Sequence, residues 1–222
     1  MSGPKLEILP QPQRRFWIEL KDTPQEFVLY GGTALALRLG HRTSEDFDFF
    51  SNRPFLPDAL RKAISYLEGA EMRQFEENTL TAVVDRDGPV KVSFFGNLKL
   101  NRVQNPDVMP ESGIKVASLL DVAATKLATI QQRALTRDYE DILALVTSGM
   151  SLSKMLAAAE AVYGSTFNGA LSLKALTFFA DGNLSGLSST AQSRLRVLAS
   201  EVDLRTIPRM QPLVGMTGGS VE

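Results

Sequence analysis

The sequence has 222 residues, of which 44% are hydrophobic and 22% are charged, so it is long enough for one substantial core or for a core domain plus a smaller helical one. Its 24 lysine and arginine residues nearly balance 25 aspartate and glutamate residues, which excludes a strongly basic chain; binding to nucleic acid would need a local basic patch. Cysteine is absent, which excludes disulfides and thiolate metal sites. The sequence has no apolar run of membrane length and no signal-peptide pattern in residues 1–12, so we expect a cytoplasmic protein without a membrane partner.

The first clear pattern is a buried strand followed by two glycines. The apolar run Phe27–Tyr30 predicts the strand, and Gly31 and Gly32 interrupt it. Thr33 is expected to cap a helix, which Gly40 ends in the left-handed conformation that glycine adopts at low cost. Backbone N–H groups at such a helix start attract anions, so the turn is a candidate phosphate site.

A strand with strict alternation is predicted at residues 46–50. Side chains alternate between the two faces of a strand, so Asp46 and Asp48 project to one face while Phe47 and Phe49 enter the core. Two carboxylates about 4 Å apart repel by about 4 kcal/mol at an effective dielectric of about 20, unless a cation lies between them. Mg²⁺ takes oxygen ligands of this kind and usually binds substrate phosphates too. Such a pair alone is common on solvated strand faces, but together with the glycine turn, in this order and spacing, it favours a Mg²⁺ site beside a phosphate.

The glycine turn and the Asp-x-Asp strand together resemble the AbiEii/AbiGii toxin family, a branch of the nucleotidyltransferase superfamily. The resemblance lies in residues 31–50, which contain GGT followed by GHR-x-S-x-DFDFF. It implies an α+β fold, with a polymerase-β-like nucleotidyltransferase core (a mixed sheet with flanking helices) followed by a helical domain. It also implies that Gly31, Gly32 and Thr33 hold the triphosphate of an NTP, and that the two aspartates hold Mg²⁺ against it.

Three further strands are predicted at residues 71–76, 79–85 and 90–95, antiparallel to the Asp-x-Asp strand or to its neighbour. Members of the superfamily usually carry a third carboxylate on a strand that faces the acid pair, but here Ser93 stands where that acid is expected. Serine neither binds Mg²⁺ strongly nor accepts a proton at neutral pH, and general-base assistance is worth roughly 10²–10⁴-fold. The chain is then a slow enzyme, an enzyme that recruits Asp138 or Asp141, or a binding protein that has lost catalysis.

The second half of the chain is predicted to be helical from Ser118 onwards, after a short edge strand at residues 114–116. We assign residues 1–112 to the nucleotidyltransferase core, 113–210 to the helical domain and 211–222 to a flexible tail.

The resemblance extends to this helical half. It implies that Lys126 and Asp138 bind substrate, with the lysine near the triphosphate, and that Asp141 completes the site as a candidate catalytic base. An alternative explanation is structural, because the two acids also suit the start of a helix, where the helix dipole favours negative charge.

The sequence therefore predicts a Mg²⁺-dependent nucleotidyltransferase, the toxin of a toxin–antitoxin or phage-defence system. It would transfer a nucleotidyl group from an NTP to tRNA, another RNA or a protein, and it would have an antitoxin partner. The alternative is a catalytically impaired nucleotide- or protein-binding module with the same fold.

Overall fold

The computed structural model describes residues 3–217 and divides them into two compact units. Residues 3–100, 105–118 and 214–217 form the first unit, and residues 101–104 and 119–213 form the second. The division falls after residue 118 rather than after residue 112, because the strand at residues 115–116 belongs to the sheet of the first unit.

The predicted tail at residues 211–222 lies partly outside the described residues. In its described part, the backbone of Leu213 pairs with that of Arg102 in the second unit. Met216 is buried in the first unit, where its N–H donates to the side-chain oxygen of Asn52. These contacts hold residues 213 and 216 within their respective units.

A mixed seven-stranded sheet forms the first unit. The strands are β1 (Val28–Tyr30), β2 (Phe47–Phe50), β3 (Glu71–Glu76), β4 (Thr79–Asp85), β5 (Pro89–Phe95), β6 (Asp107–Val108) and β7 (Lys115–Val116). Their order in the sheet is β3-β4-β5-β2-β1-β7-β6.

The sheet differs from the sequence-based prediction in the direction of one strand and in the position of another. β3, β4 and β5 pair with one another antiparallel, but β5 runs parallel to β2, since the three strands form a meander that returns to the sheet in that direction. β7 is not an edge strand, because β6 covers its outer side while β1 pairs with it in parallel.

Helices flank the sheet and make up most of the second unit. Those of the first unit are α1 (Gln11–Phe16), α2 (Gly31–Leu39) and α3 (Pro57–Ala63). Those of the second are α4 (Leu119–Thr129), α5 (Thr136–Thr147), α6 (Leu152–Tyr163), α7 (Gly169–Ala175) and α8 (Ser189–Ser200). Within residues 3–217, no single helix is long and apolar enough to cross a membrane. In this range, only α5 together with Leu152–Thr166 reaches the necessary length and apolar composition, and a bend of 117° separates the two segments.

The alternation predicted for β2 is confirmed. Phe47 and Phe49 are fully buried, and their rings lie 5.7 Å from that of Phe16 and 5.3 Å from that of Phe94, respectively. Burial of each phenylalanine contributes about 1.5–3 kcal/mol. This anchorage fixes the orientation of the strand and directs its polar side chains to the opposite face.

Candidate active site

The glycine turn is the first turn of α2. The helix begins at Gly31, which has a φ of 71°, and Tyr30 is its N-cap residue, without a side-chain capping bond. Thr33 is therefore inside the first turn, and its predicted role as the cap is wrong. The predicted end of the helix is confirmed at Gly40, which is left-handed with a φ of 66°.

The side chain of Thr33 is buried and joins the two elements of the site. Its hydroxyl lies 2.8 Å from Ser44 Oγ and also bonds the backbone carbonyl oxygen of Asp46. The start of α2 is thus tied to the start of β2. The hydroxyl of Thr33 is thus engaged inside the protein, and only its backbone N–H belongs to the first helix donors, which have no partner within the helix.

The carboxylate of Asp48 lies against the glycine turn. Asp48 stands opposite Tyr30 in the β1–β2 register, and a Cβ built on Gly31 would be 3.1 Å from Asp48 Oδ2. A negative charge at a helix N-terminus is favourable by about 0.3–1 kcal/mol. The structure therefore brings one predicted metal ligand next to the predicted phosphate-binding turn.

Asp46 precedes β2 and is half-buried, like Asp48. Its Oδ2 lies 3.4 Å from the Nζ of Lys91 on β5. Directly opposite Asp48 in the parallel register stands Ser93, buried at 2% exposure. The strand position beside the acid pair is thus occupied by a serine and not by a third acid.

Two carboxylates on one strand face, beside the start of a helix, suit a hard divalent ion that completes its coordination with water and phosphate oxygens. Within residues 3–217, no group of three or more histidine or acidic side chains is arranged to hold a metal. Mg²⁺ binding at Asp46 and Asp48 stays a prediction.

Arg42 is a basic side chain of this site that the sequence-based predictions missed. Its Nη2 lies so close to Gly32 that a Cβ there would overlap it, and its Nη1 donates to the carbonyl oxygen of Thr43 at 3.0 Å. Gly32 therefore leaves room for a guanidinium beside the first turn of α2. The sequence signal that could have identified Arg42 as a site residue was its position in the GHR segment between the glycine turn and the acid pair.

The other predicted site residues lie together in the second unit. The Nζ of Lys126 on α4 is 2.8 Å from Oδ1 of Asp138 and 2.5 Å from Oδ2 of Asp141, both on α5. The lysine side chain is 6% exposed and both acids are fully buried. The half-exposed Arg133 also pairs with Asp138, at 2.9 Å. We call these four residues the α4–α5 ion cluster.

Charge balance explains the ionisation of Asp138. Burial alone would raise the pKa of its carboxyl, but the hydrogen bond from Arg133 and the charge and hydrogen bond of Lys126 outweigh burial, so the pKa lies below its ordinary value. The cluster is an ion-pair network around two buried acids, and this geometry supports a structural role. The roles predicted for Lys126, Asp138 and Asp141 at the nucleotide stay predictions.

Sequence comparison connects the chain to a toxin family. Residues 18–196 match the family described as nucleotidyl transferase AbiEii toxin, Type IV TA system. An uncharacterized protein of Aquifex aeolicus (strain VF5) is 34% identical over 119 residues, which is 53% of this chain. The match covers 56% of that relative, so this chain spans about half of its length.

Two solved structures similar to this chain are described as nucleotidyltransferases. The MenT4 nucleotidyltransferase toxin of Mycobacterium tuberculosis is 16% identical, with a TM-score of 0.56 over 87% of this chain and 84% of that one. A putative nucleotidyltransferase from Helicobacter pylori is 20% identical, with a TM-score of 0.53 over 86% of this chain and 91% of that one. At these identities the similarity shows the fold, and it confirms the predicted nucleotidyltransferase-like α+β architecture.

The two glycines of the turn are expected to respond differently to alanine. Gly31→Ala should lower the free energy of unfolding by about 1–2 kcal/mol, because an L-residue is strained at a left-handed φ. Gly32→Ala should cost less, since alanine favours a helix over glycine by about 1 kcal/mol, which offsets the displacement of the Arg42 guanidinium. Urea unfolding of both variants measures the difference; an equal loss in both would contradict the geometry of the turn.

Removal of the Lys126 charge is expected to destabilise the second unit. Lys126→Met leaves two buried carboxylates without their shared ammonium, which should cost about 3–5 kcal/mol in the free energy of unfolding. Lys154→Met, at an exposed position on α6, is the matched control and should stay within about 0.5 kcal/mol of wild type. If Lys126→Met is as stable as its control, the cluster is not a structural ion pair.

The stability of the protein should depend on the ionisation of Asp138 in acid. Because the folded pKa lies below the unfolded one, the contribution is fully present well above the ordinary value of 3.8 and is lost as the pH falls through the lower folded pKa. Asp138→Asn should therefore show a shallower loss of stability below about pH 4 than wild type. Urea unfolding across this range measures both slopes, and identical slopes would refute the assignment.

Proposed function

Because the chain belongs to the nucleotidyl transferase AbiEii toxin family, we propose that it is a Mg²⁺-dependent toxin that transfers a nucleotidyl group from an NTP to a hydroxyl of an RNA, such as tRNA, or of a protein. The observation that supports this most directly is the juxtaposition of Asp48 and the glycine turn. A carboxylate and a helix N-terminus without a side-chain cap lie side by side, where a metal-bound phosphate would engage both.

Each residue of the site has a role in this proposal. The N–H groups of Gly31, Gly32 and Thr33 would donate to phosphate oxygens, and Asp46 and Asp48 would hold Mg²⁺. A bound Mg²⁺ ion neutralises developing charge on the transferred phosphoryl group. The hydrogen bonds of Thr33 would keep the acid strand in register with the helix start during the reaction.

Ser93 limits the rate that this site would reach. A serine opposite Asp48 cannot take the proton of an attacking hydroxyl at neutral pH, and a missing general base costs roughly 10²–10⁴-fold. Phosphoryl transfer depends mainly on positioning and charge neutralisation, which two carboxylates and a helix start still provide. We therefore propose a slow enzyme rather than an inactive one.

A second candidate function is a nucleotide-binding module without turnover. The buried Ser93 and the lysine beside Asp46 favour it, because both reduce the negative charge available for metal-dependent chemistry. The site would then bind Mg²⁺ and nucleotide, and release them unchanged.

The proposed partners follow the family description, which names a type IV toxin–antitoxin system. We propose a cognate antitoxin that counteracts the activity, and a cytoplasmic location where NTPs and RNA are present.

Nucleotide transfer is expected to require Asp48. Each labelled NTP is incubated with a tRNA pool in Mg²⁺ or in EDTA, and labelled RNA and protein are counted. Asp48→Asn should lower labelling by about 10²-fold or more, because it removes a charge that holds the metal. Asp58→Asn, which changes an exposed acid on α3, is the matched control and should keep wild-type labelling.

The outcomes separate the two candidates. Undiminished labelling by Asp48→Asn would contradict the assignment of the acid pair. Mg²⁺-dependent nucleotide binding without labelled product, lost in Asp48→Asn, would instead support the binding module.

A further inference from the structure

Lys91 is placed beside the acid pair by the parallel pairing of β5 with β2. The register joins Phe47 to Val92 and Asp48 to Ser93, so Lys91 and Asp46 are neighbours one step earlier. The Nζ of Lys91 lies 3.4 Å from Asp46 Oδ2, and the lysine and aspartate side chains are 47% and 35% exposed. The ammonium therefore touches an oxygen that a metal ion would need.

An ammonium and a divalent cation compete for this oxygen. Both are attracted to the carboxylate and repel each other, so Lys91 has to leave Asp46 before an ion can coordinate it fully. The Arg42 guanidinium lies beside the same glycine turn and adds a second positive charge to the neighbourhood. The two acids and these two basic groups carry no net formal charge.

The position of Ser93 increases the effect of Lys91. A third carboxylate at this position would attract a divalent ion strongly enough to displace a lysine, but a serine adds no charge. Mg²⁺ gives up its water reluctantly and is commonly held by one or two carboxylates together with substrate phosphates. The additional negative charge at this site must then come from the nucleotide.

On the basis of the proposed function, we infer that Lys91 is the resident cation at Asp46 and makes divalent-ion binding depend on the nucleotide. Without nucleotide, the ammonium occupies Asp46 and keeps the metal affinity low. When a metal–nucleotide complex binds, its metal ion would take the place of the Lys91 ammonium at Asp46, and its phosphates would compensate the added positive charge. Lys91 is thus a positioning residue that couples metal binding to substrate binding.

The inference is tested by Mn²⁺ binding, measured by electron paramagnetic resonance with and without a non-hydrolysable NTP analogue. Lys91→Met should bind Mn²⁺ alone about three- to tenfold tighter than wild type, because the ion pair and the cation repulsion are both removed. Lys99→Met removes the same charge from an exposed lysine that bonds Asn97, and it should behave as wild type. Lys91→Arg should also keep wild-type behaviour. Adding Asp48→Asn to Lys91→Met should abolish the gain.

The results distinguish this inference from the proposed function. If Lys91→Met binds Mn²⁺ no better than wild type while wild type binds Mn²⁺ with the analogue, the role of Lys91 is refuted and the proposed function stands. Equal wild-type affinity for Mn²⁺ with and without the analogue also refutes the role of Lys91. If wild type binds no Mn²⁺ with the analogue of any NTP, the proposed function and the inference both fail.

Discussion

The site depends on the burial of two phenylalanines on one short strand. Phe47 and Phe49 are held in the core by aromatic neighbours, and because side chains alternate along a strand, Asp46 and Asp48 are held on the other face. A shift of one residue in register would exchange the two sets and bury both charges, at a cost that far exceeds the repulsion between them. The hydrophobic core thus fixes the acid pair on one face, and Lys91 offsets part of the repulsion between its two charges.

A second constraint connects this strand to the helix start. Asp48 lies against Gly31, and the buried hydroxyl of Thr33 bonds Ser44 and the backbone of Asp46. The two glycines are needed for different reasons: Gly31 adopts a left-handed φ, whereas Gly32 leaves space for the Arg42 guanidinium. Rigid placement of donors and carboxylates is what phosphoryl transfer needs most from a protein.

Features encoded by local pattern could be predicted from the sequence. The alternation at residues 46–50 and the helix end at Gly40 follow from side-chain periodicity and backbone preference, and both are confirmed. The helix start was wrong because the Thr33 hydroxyl forms a tertiary hydrogen bond instead of a cap. The neighbour of Asp46 was missed because it depends on the parallel direction of β5, which is set by the path of three strands. Likewise, the family resemblance pointed to Lys126, Asp138 and Asp141 but could not reveal their burial.

Fold similarity and site chemistry carry different information in this protein. The sheet and helices are those of nucleotidyltransferases, but a fold only positions residues, and the reaction depends on which residues stand there. Opposite Asp48 the chain has a serine, and beside Asp46 it has a lysine. Both features make the net charge of the site less negative than that of a site with three acids. A site with this balance attracts the phosphates of a nucleotide more strongly and a bare metal ion less strongly, so binding of the two is expected to be coupled by electrostatics alone.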